Sequence, residues 1–350
     1  WILFHTMDIT SCDDYNPEED MIYLNCSIDQ ETMCWRLKDL HTAWAFGTSP
    51  MVIVIIVLSV IALFFNLIYT ILIHIVWIRE KFKGNKRTII VANRSIFTIF
   101  TISLLYTTLI LWQTSGFGYV PSSIFLTIAA CDYMVVASNF FIVTILMYVA
   151  VMNPIFYSTR LQFRHYIMIG WGFSAISIIM GIIVGLGGSA LFYPSESVFA
   201  CPVETCQYPF AISIVSLIFV GYLLMMICYS LVILRLRKRI EKLALFSLRV
   251  SFLVITIFFV PTIAMLVVTM INFENFSSLG DSSKSPCSRL ENGNVLLLCC
   301  YLVTSTAIFW LIGMTIDSIF NLVTEAKIYE HFSTFRRLKS IIERSKLTSV

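Results

Sequence analysis

The sequence predicts an all-α fold: a bundle of seven transmembrane helices with its N-terminus outside and its C-terminus in the cytosol. Three observations predict it: an apolar, charge-poor composition, seven apolar runs of membrane-spanning length, and a one-sided distribution of basic residues. Of 350 residues, 58% are hydrophobic and only 13% charged, and the mean hydropathy is +0.84. Such a chain is too apolar for a soluble domain. That excludes soluble enzymes and nucleic-acid-binding proteins and implies the lipid bilayer as the surrounding medium.

In chain order, residues 1–50 form a polar, acidic extracellular leader containing Cys12, Cys26 and Cys34. The chain starts at Trp1 rather than Met, which fits a mature form or an incomplete sequence, and no complete signal peptide is visible. The apolar spans run over 51–78, 88–112, 120–152, 166–192, 210–234, 246–272 and 295–322. Each is near the length at which a helix satisfies its own backbone hydrogen bonds across hydrocarbon. Residues 51–322 thus form the membrane domain, and 323–350 form a basic cytoplasmic tail. In the third span, from Asp132 to Met152, Asp132 is the only formal charge, and Asn153-Pro154 ends the helix because proline lacks the amide donor and disfavours helical geometry in the residue before it. Neither an internal repeat of the kind found in inverted-repeat transporters nor a low-complexity segment is visible.

Basic residues set the orientation. Two lie in the leader and two, Lys284 and Arg289, in the third outer loop, whereas twenty lie on the opposite face and in the tail. The positive-inside rule then places the N-terminus outside and disfavours an inverted topology. Cys12, Cys26, Cys34, Cys201, Cys206 and Cys287 all fall on that outer face. An even set in an oxidising compartment reads as disulfides, with fifteen pairings open for six cysteines. The glycosylation sequons at Asn25 and Asn275 are outer too, whereas the one at Asn93 lies at a membrane position.

The wording YVAVMNPIFYST, Tyr148 to Thr159, resembles the end of the third helix in rhodopsin-like G-protein-coupled receptors, above all olfactory-type chemoreceptors. Asn66, Trp171, Tyr229 and Pro261 match residues of that family's first, fourth, fifth and sixth helices. Phe259 stands at its rotamer-switching tryptophan, and DSIFN, Asp317 to Asn321, is similar to its seventh-helix motif. The departures are many. Leu146 and Met147 replace the acid and arginine before Tyr148, Ser318 replaces the proline and Asn321 the tyrosine of the seventh-helix motif, and Ser122 falls where the outer disulfide cysteine belongs. This degraded pattern resembles the serpentine chemoreceptors of nematodes. The resemblance implies a G-protein-coupling face at Met147, Tyr148, Asn153, Pro154 and Tyr229 and a heterotrimeric G protein as partner. Taken singly, Pro261 is equally a tolerated kink, and Trp171 or Tyr229 equally a packing or interfacial residue. The linker RLRKRIEK, Arg235 to Lys242, is a G-protein contact or an orientation and lipid-contact signal.

Charges at membrane depth cost about 2.5 to 3.5 kcal/mol on insertion scales and mark functional positions. Arg94 in the second span, Asp132 in the third and Asp317 in the seventh are the candidates. The resemblance puts Arg94 near the aspartate of the family's sodium site, with Thr98 as the position one turn later. Asn66, Arg94, Asp132, Phe259, Pro261 and Asp317 thereby make up an expected polar centre and switch, in which Arg94 pairs with Asp317 or Asp132; in the other reading Arg94 snorkels to the cytosolic face.

The expected function is a chemosensory receptor in the plasma membrane that binds an extracellular small molecule or peptide in an apolar outer concavity and signals through a G protein, without catalysis, cofactor or metal. Ala129 stands where amine receptors of the family carry their acid, and no lysine for a retinal Schiff base lies in span seven. The competing reading is a seven-helix channel or transporter using Arg94, Asp132 and Asp317. An integral-membrane enzyme ranks third, since no intramembrane His/Asp or Cys/His cluster is visible.

Overall fold

The structure is a computed structural model that describes Cys26 and residues 30–44, 50–79, 86–115, 119–160, 163–199, 201–236, 242–273 and 286–324. The described residues contain helices and no strand. A short helix, α1 (Gln30–Trp44), precedes α2 (Pro50–Arg79), α3 (Lys86–Ser115) and α4 (Tyr119–Met152). A six-residue helix, α5 (Pro154–Thr159), leads into α6 (Phe163–Phe192), and a π turn, Val203–Gln207, opens α7 (Tyr208–Leu236). The chain continues through α8 (Lys242–Ile271), the short α9 (Pro286–Glu291) and α10 (Gly293–Thr324). Six of the long helices have the length and apolarity to cross a membrane, and in α3 the apolar stretch is Ile89–Leu104. The chain is thus an all-helical, multi-pass membrane protein.

Helix ends follow local chemistry. Met152 closes α4 at Asn153-Pro154, and Pro154 restarts the chain as the first residue of α5, where a missing amide costs nothing because first-turn amides lack intrahelical acceptors. Pro261 sits inside α8 without ending it. The next residue, Thr262, donates to the Phe258 carbonyl at 3.0 Å and accepts from Trp310 Nε1 at 2.8 Å, which ties the proline-bearing turn to α10.

The helices close a ring in which α10 packs on α2, α2 on α3, α3 on α4, α4 on α7, α7 on α8 and α8 on α10, while α6 lies outside against α4 and α3. Residues such as Ile53, Phe64, Ile176 and Leu217 point away from the bundle, as expected where the surroundings are lipid. The largest contact is between α4 and α6, and glycine permits it. A Cβ at Gly181 would overlap the Cα of Cys131, and one at Gly185 would overlap the Cα of Thr127. The two glycines, four apart, occupy one face of α6 and let the backbones approach as in other membrane helix pairs.

The leader is less simple than its composition suggests. Gln30–Trp44 is helical and docks against α10 and α9, burying Met33, Leu37 and Leu40 beside Leu290. Gly293 opens α10 with its Cα under this helix, 3.1 Å separating a hypothetical Cβ from the Arg36 carbonyl. Cys26 is bonded to Cys287, Cys201 to Cys206, and Cys34 is disulfide-bonded as well. The cysteines within the long helices, Cys131, Cys228, Cys299 and Cys300, are free. Cys12, Asn25, Asn275 and most of the tail lie outside the described residues, as does most of RLRKRIEK.

The glycine contact yields a direct test. Gly181→Leu or Gly185→Leu forces α4 and α6 apart, and overpacking of this kind costs about 1 to 3 kcal/mol or more. Surface delivery measured by cell-surface labelling should fall severalfold for either, while Gly170→Ala, with nothing within 4 Å of the added atom, should match wild type.

Candidate functional site

The centre of the bundle is built on an ion pair. Arg94 of α3 donates through Nη2 to Asp317 Oδ2 of α10, with side chains only 7% and 16% exposed. The same guanidinium lies over the Phe140 ring of α4, its Cζ 4.2 Å from the centroid. Arg94 therefore does not snorkel along α3. Its charge is neutralised within the bundle, and the planar cation is stacked on an aromatic face, an arrangement that arginine tolerates better than lysine.

Of the two acids open as partners on sequence grounds, Asp317 holds the arginine. Asp132 is buried in α4 near Thr101, and its Oδ1 has no hydrogen-bond partner among the described residues. Asn66 does not extend the pair through the bond seen for its amide, which donates to the Ala62 carbonyl of its own helix at 2.8 Å. Ser318 and Asn321 likewise bond back to Met314 and Asp317 carbonyls at 2.9 and 2.8 Å. The expected six-residue polar centre thus divides, with Arg94 and Asp317 in one place and Phe259 and Pro261 in another.

Phe259 belongs to an aromatic cluster that links α4, α7, α8 and α10. It stacks on Tyr222 at 5.6 Å and meets Tyr133 and Phe258 edge-on at 6.1 and 5.4 Å. Tyr133 lies flat on Phe258 at 5.1 Å and on Trp310 at 5.2 Å. Phe140 touches Phe258 at 5.5 Å, so the aromatic cluster is continuous with the ion pair through one ring. Tyr133, Phe258 and Trp310 carry no signal beyond aromaticity in a sequence with 28 Phe and 15 Tyr, and their roles emerge only from the packing.

A second polar cluster sits one residue from the pair. Asn93 donates to Ser174 Oγ of α6 at 2.8 Å and to Asn139 Oδ1 of α4 at 3.4 Å, all three side chains being buried. Asn93 is thus occupied inside the bundle, away from any glycosylation. Trp171 is more than half exposed and meets Phe97 edge-on at 6.3 Å, a position on the outer side of α6.

At the end of the bundle where α4 meets α5, Tyr229 is fully buried against Phe252, and Met147 and Tyr148 pack half-buried on the same core. Leu146 packs instead on the cluster that contains Ile142, Val143 and Tyr166. Asn153 and Pro154 are exposed. At the disulfide-bearing end, Ser122 approaches the Tyr193 hydroxyl at 3.2 Å and Tyr119 donates to Ser197 Oγ at 3.3 Å. These hydroxyl contacts join α4 to the segment after α6 where the resembled family would use a disulfide. No group of three or more metal-ligating side chains occurs among the described residues. No family model matches the chain, and no curated protein matches it.

The ion pair makes a quantitative prediction. Arg94→Gln or Asp317→Asn alone leaves one buried charge uncompensated and should cost about 3 to 5 kcal/mol, whereas the double replacement should be milder than either. A double-mutant cycle on the thermal stability of the solubilised protein checks this, strict additivity being the contrary result. Asp132→Asn removes an acid that Arg94 does not serve, so it should combine additively with Arg94→Gln and leave stability equal or higher.

Proposed function

We propose that the chain is a rhodopsin-like, G-protein-coupled chemosensory receptor of the plasma membrane, with the divergent character of nematode serpentine chemoreceptors. It takes a small molecule or peptide from the extracellular side and signals to a cytosolic heterotrimeric G protein. The observation that carries the reading is the Arg94–Asp317 pair. A channel or transporter built on Arg94, Asp132 and Asp317 needs charges facing a path. Two of the three neutralise each other between α3 and α10, and their role is to fix one arrangement of helices. The polar pair sits beside an aromatic cluster joining four helices, which suits a protein whose output is a change in helix packing.

Orientation in this reading follows the basic residues, nineteen against four once the bundle-buried Arg94 is set aside. It puts the bonded cysteines on the oxidising side and the free ones in the membrane. The coupling face is then the end of α4, where Asn153 and Pro154 are exposed, while Tyr229, Met147 and Tyr148 support it from beneath. Met147 can pack but cannot donate the hydrogen bonds of an arginine.

One observation favours the second reading. Asp132 has an unmatched carboxylate oxygen in a membrane helix, as a proton- or cation-translocating residue would. A ligand screen in cells recording second messenger and membrane current together separates the two, a receptor giving messenger without ligand-gated current. For topology, glycosidase should shift the mobility of wild type, and loss of Asn25 and Asn275 together should abolish the shift. An epitope at Val350 reachable in intact cells would contradict it. Met147→Arg should alter the efficiency of G-protein activation, and indifference to that change and to Asn153→Ala would place coupling elsewhere.

A further inference from the structure

The geometry points to Gln207 as a ligand-reading residue that binds an uncharged carboxamide or peptide amide; this rests on the receptor reading above and names the ligand chemistry it would admit. Gln207 is only 7% exposed, yet neither its amide nitrogen nor its amide oxygen has a hydrogen-bond partner among the described residues. Buried polar side-chain atoms are nearly always paired, so a primary amide with both ends unmatched marks a position whose partner comes from elsewhere.

The backbone around it is fixed. The Cys201–Cys206 disulfide closes the π turn Val203–Gln207, and the Cys206 and Gln207 amides both donate to the Pro202 carbonyl, at 3.0 and 3.3 Å. A side chain held on such a turn loses little freedom when it engages a ligand. Aromatic residues follow it in the chain. Tyr208 meets Phe273, just past the end of α8, edge-on at 5.3 Å, and Phe210 lies so close to α6 that a Cβ at Gly187 would come within 2.8 Å of its ring. The turn stands at the disulfide-bearing end of the bundle, the extracellular end in the proposed orientation.

The chemistry of the amide selects the ligand. A glutamine offers two donors on nitrogen and an acceptor on oxygen and carries no charge. Another amide answers both in one planar contact, its carbonyl accepting from Nε2 and its N–H donating to Oε1. An ammonium satisfies only the oxygen and a carboxylate only the nitrogen, and each brings a charge that a neutral amide does not compensate. Recognition of this kind discriminates strongly, since an analogue that lacks the matching group leaves the protein's buried polar atoms unpaired.

Three probes with one apolar body test it: 3-phenylpropanamide, 3-phenylpropanoate and 3-phenylpropylammonium. Binding to the purified full chain in lipid nanodiscs is followed by ligand-observed NMR, with thermal stability read in parallel. The amide should bind wild type at least tenfold more tightly than the acid or the amine. Gln207→Leu should lose that preference while melting no lower than wild type without probe, because it removes an unmatched polar group, and Gln207→Glu should shift preference toward the amine. Non-reducing mass mapping of Cys201–Cys206 verifies the fold of both variants. No binding of the amide to wild type, or an amide preference unchanged in Gln207→Leu, overturns the assignment. The receptor reading keeps its separate readout, messenger against current, and stands or falls without these probes.

Discussion

A guanidinium in the apolar middle of a helix bundle needs an anion within reach, and the position of that anion dictates which helices stand side by side. Arg94 meets this constraint with Asp317 across the α3–α10 gap and lies over Phe140 of α4. Two consecutive helices and a third some 220 residues away are thereby held in one register. Hydrophobicity alone cannot supply such a constraint in lipid, because an apolar helix face is as well solvated by acyl chains as by another helix. The apolar spans make the protein membranous, and the sparse polar groups decide how the spans are arranged.

The other contacts obey the same logic with different means. Between α4 and α6 the specificity lies in what is absent, since Gly181 and Gly185 leave room for backbone against backbone. Between α8 and α10 it lies in one indole N–H given to Thr262 beside Pro261, inside a stack of rings led by Tyr133 and Phe258. At the disulfide-bearing end the constraint becomes covalent. Cys26–Cys287 joins the residue ahead of α1 to α9, adding to the disulfide at Cys34 and to the burial of Met33, Leu37 and Leu40 beside Leu290.

The number and bounds of the long helices were legible because a run of apolar residues long enough to cross a bilayer has one dominant solution, and the Asn153-Pro154 break was legible because proline's missing amide acts locally. The α1 helix was not, since its burial depends on Leu37 and Leu40 meeting Leu290, some 250 residues later. Disulfide pairing was open for the same reason. Arg94, Asp132 and Asp317 stood out as charges among apolar neighbours, but which acid held the arginine depended on helix rotation, which an apolar sequence leaves almost unspecified. Asn93, Asn139 and Ser174 gave still less signal, being uncharged and common. The pair Gly181 and Gly185 was readable as small residues four apart, a pattern whose meaning lay in the partner helix.

Asn93 and Arg94 are adjacent on α3, and adjacent helical residues project about 100° apart. One therefore reaches α4 and α6 while the other reaches α10. A rotation of α3 large enough to release Arg94 from Asp317 also draws Asn93 away from Ser174, so the ion pair and the amide cluster cannot be broken independently by that motion. Translation of α10 alone loads the ion pair and the Trp310–Thr262 bond and spares the amide cluster. If the chain acts as the proposed receptor, this difference separates two classes of movement: rotation of α3 opposed by both polar clusters at once, and displacement of α10 opposed by the ion pair and the Trp310–Thr262 bond. The second leaves the α4–α6 contact undisturbed. Under the proposed receptor function, the movement these polar contacts oppose least is α10 together with α8 against α3, α4 and α6, which keeps the Trp310–Thr262 bond and loads only the ion pair.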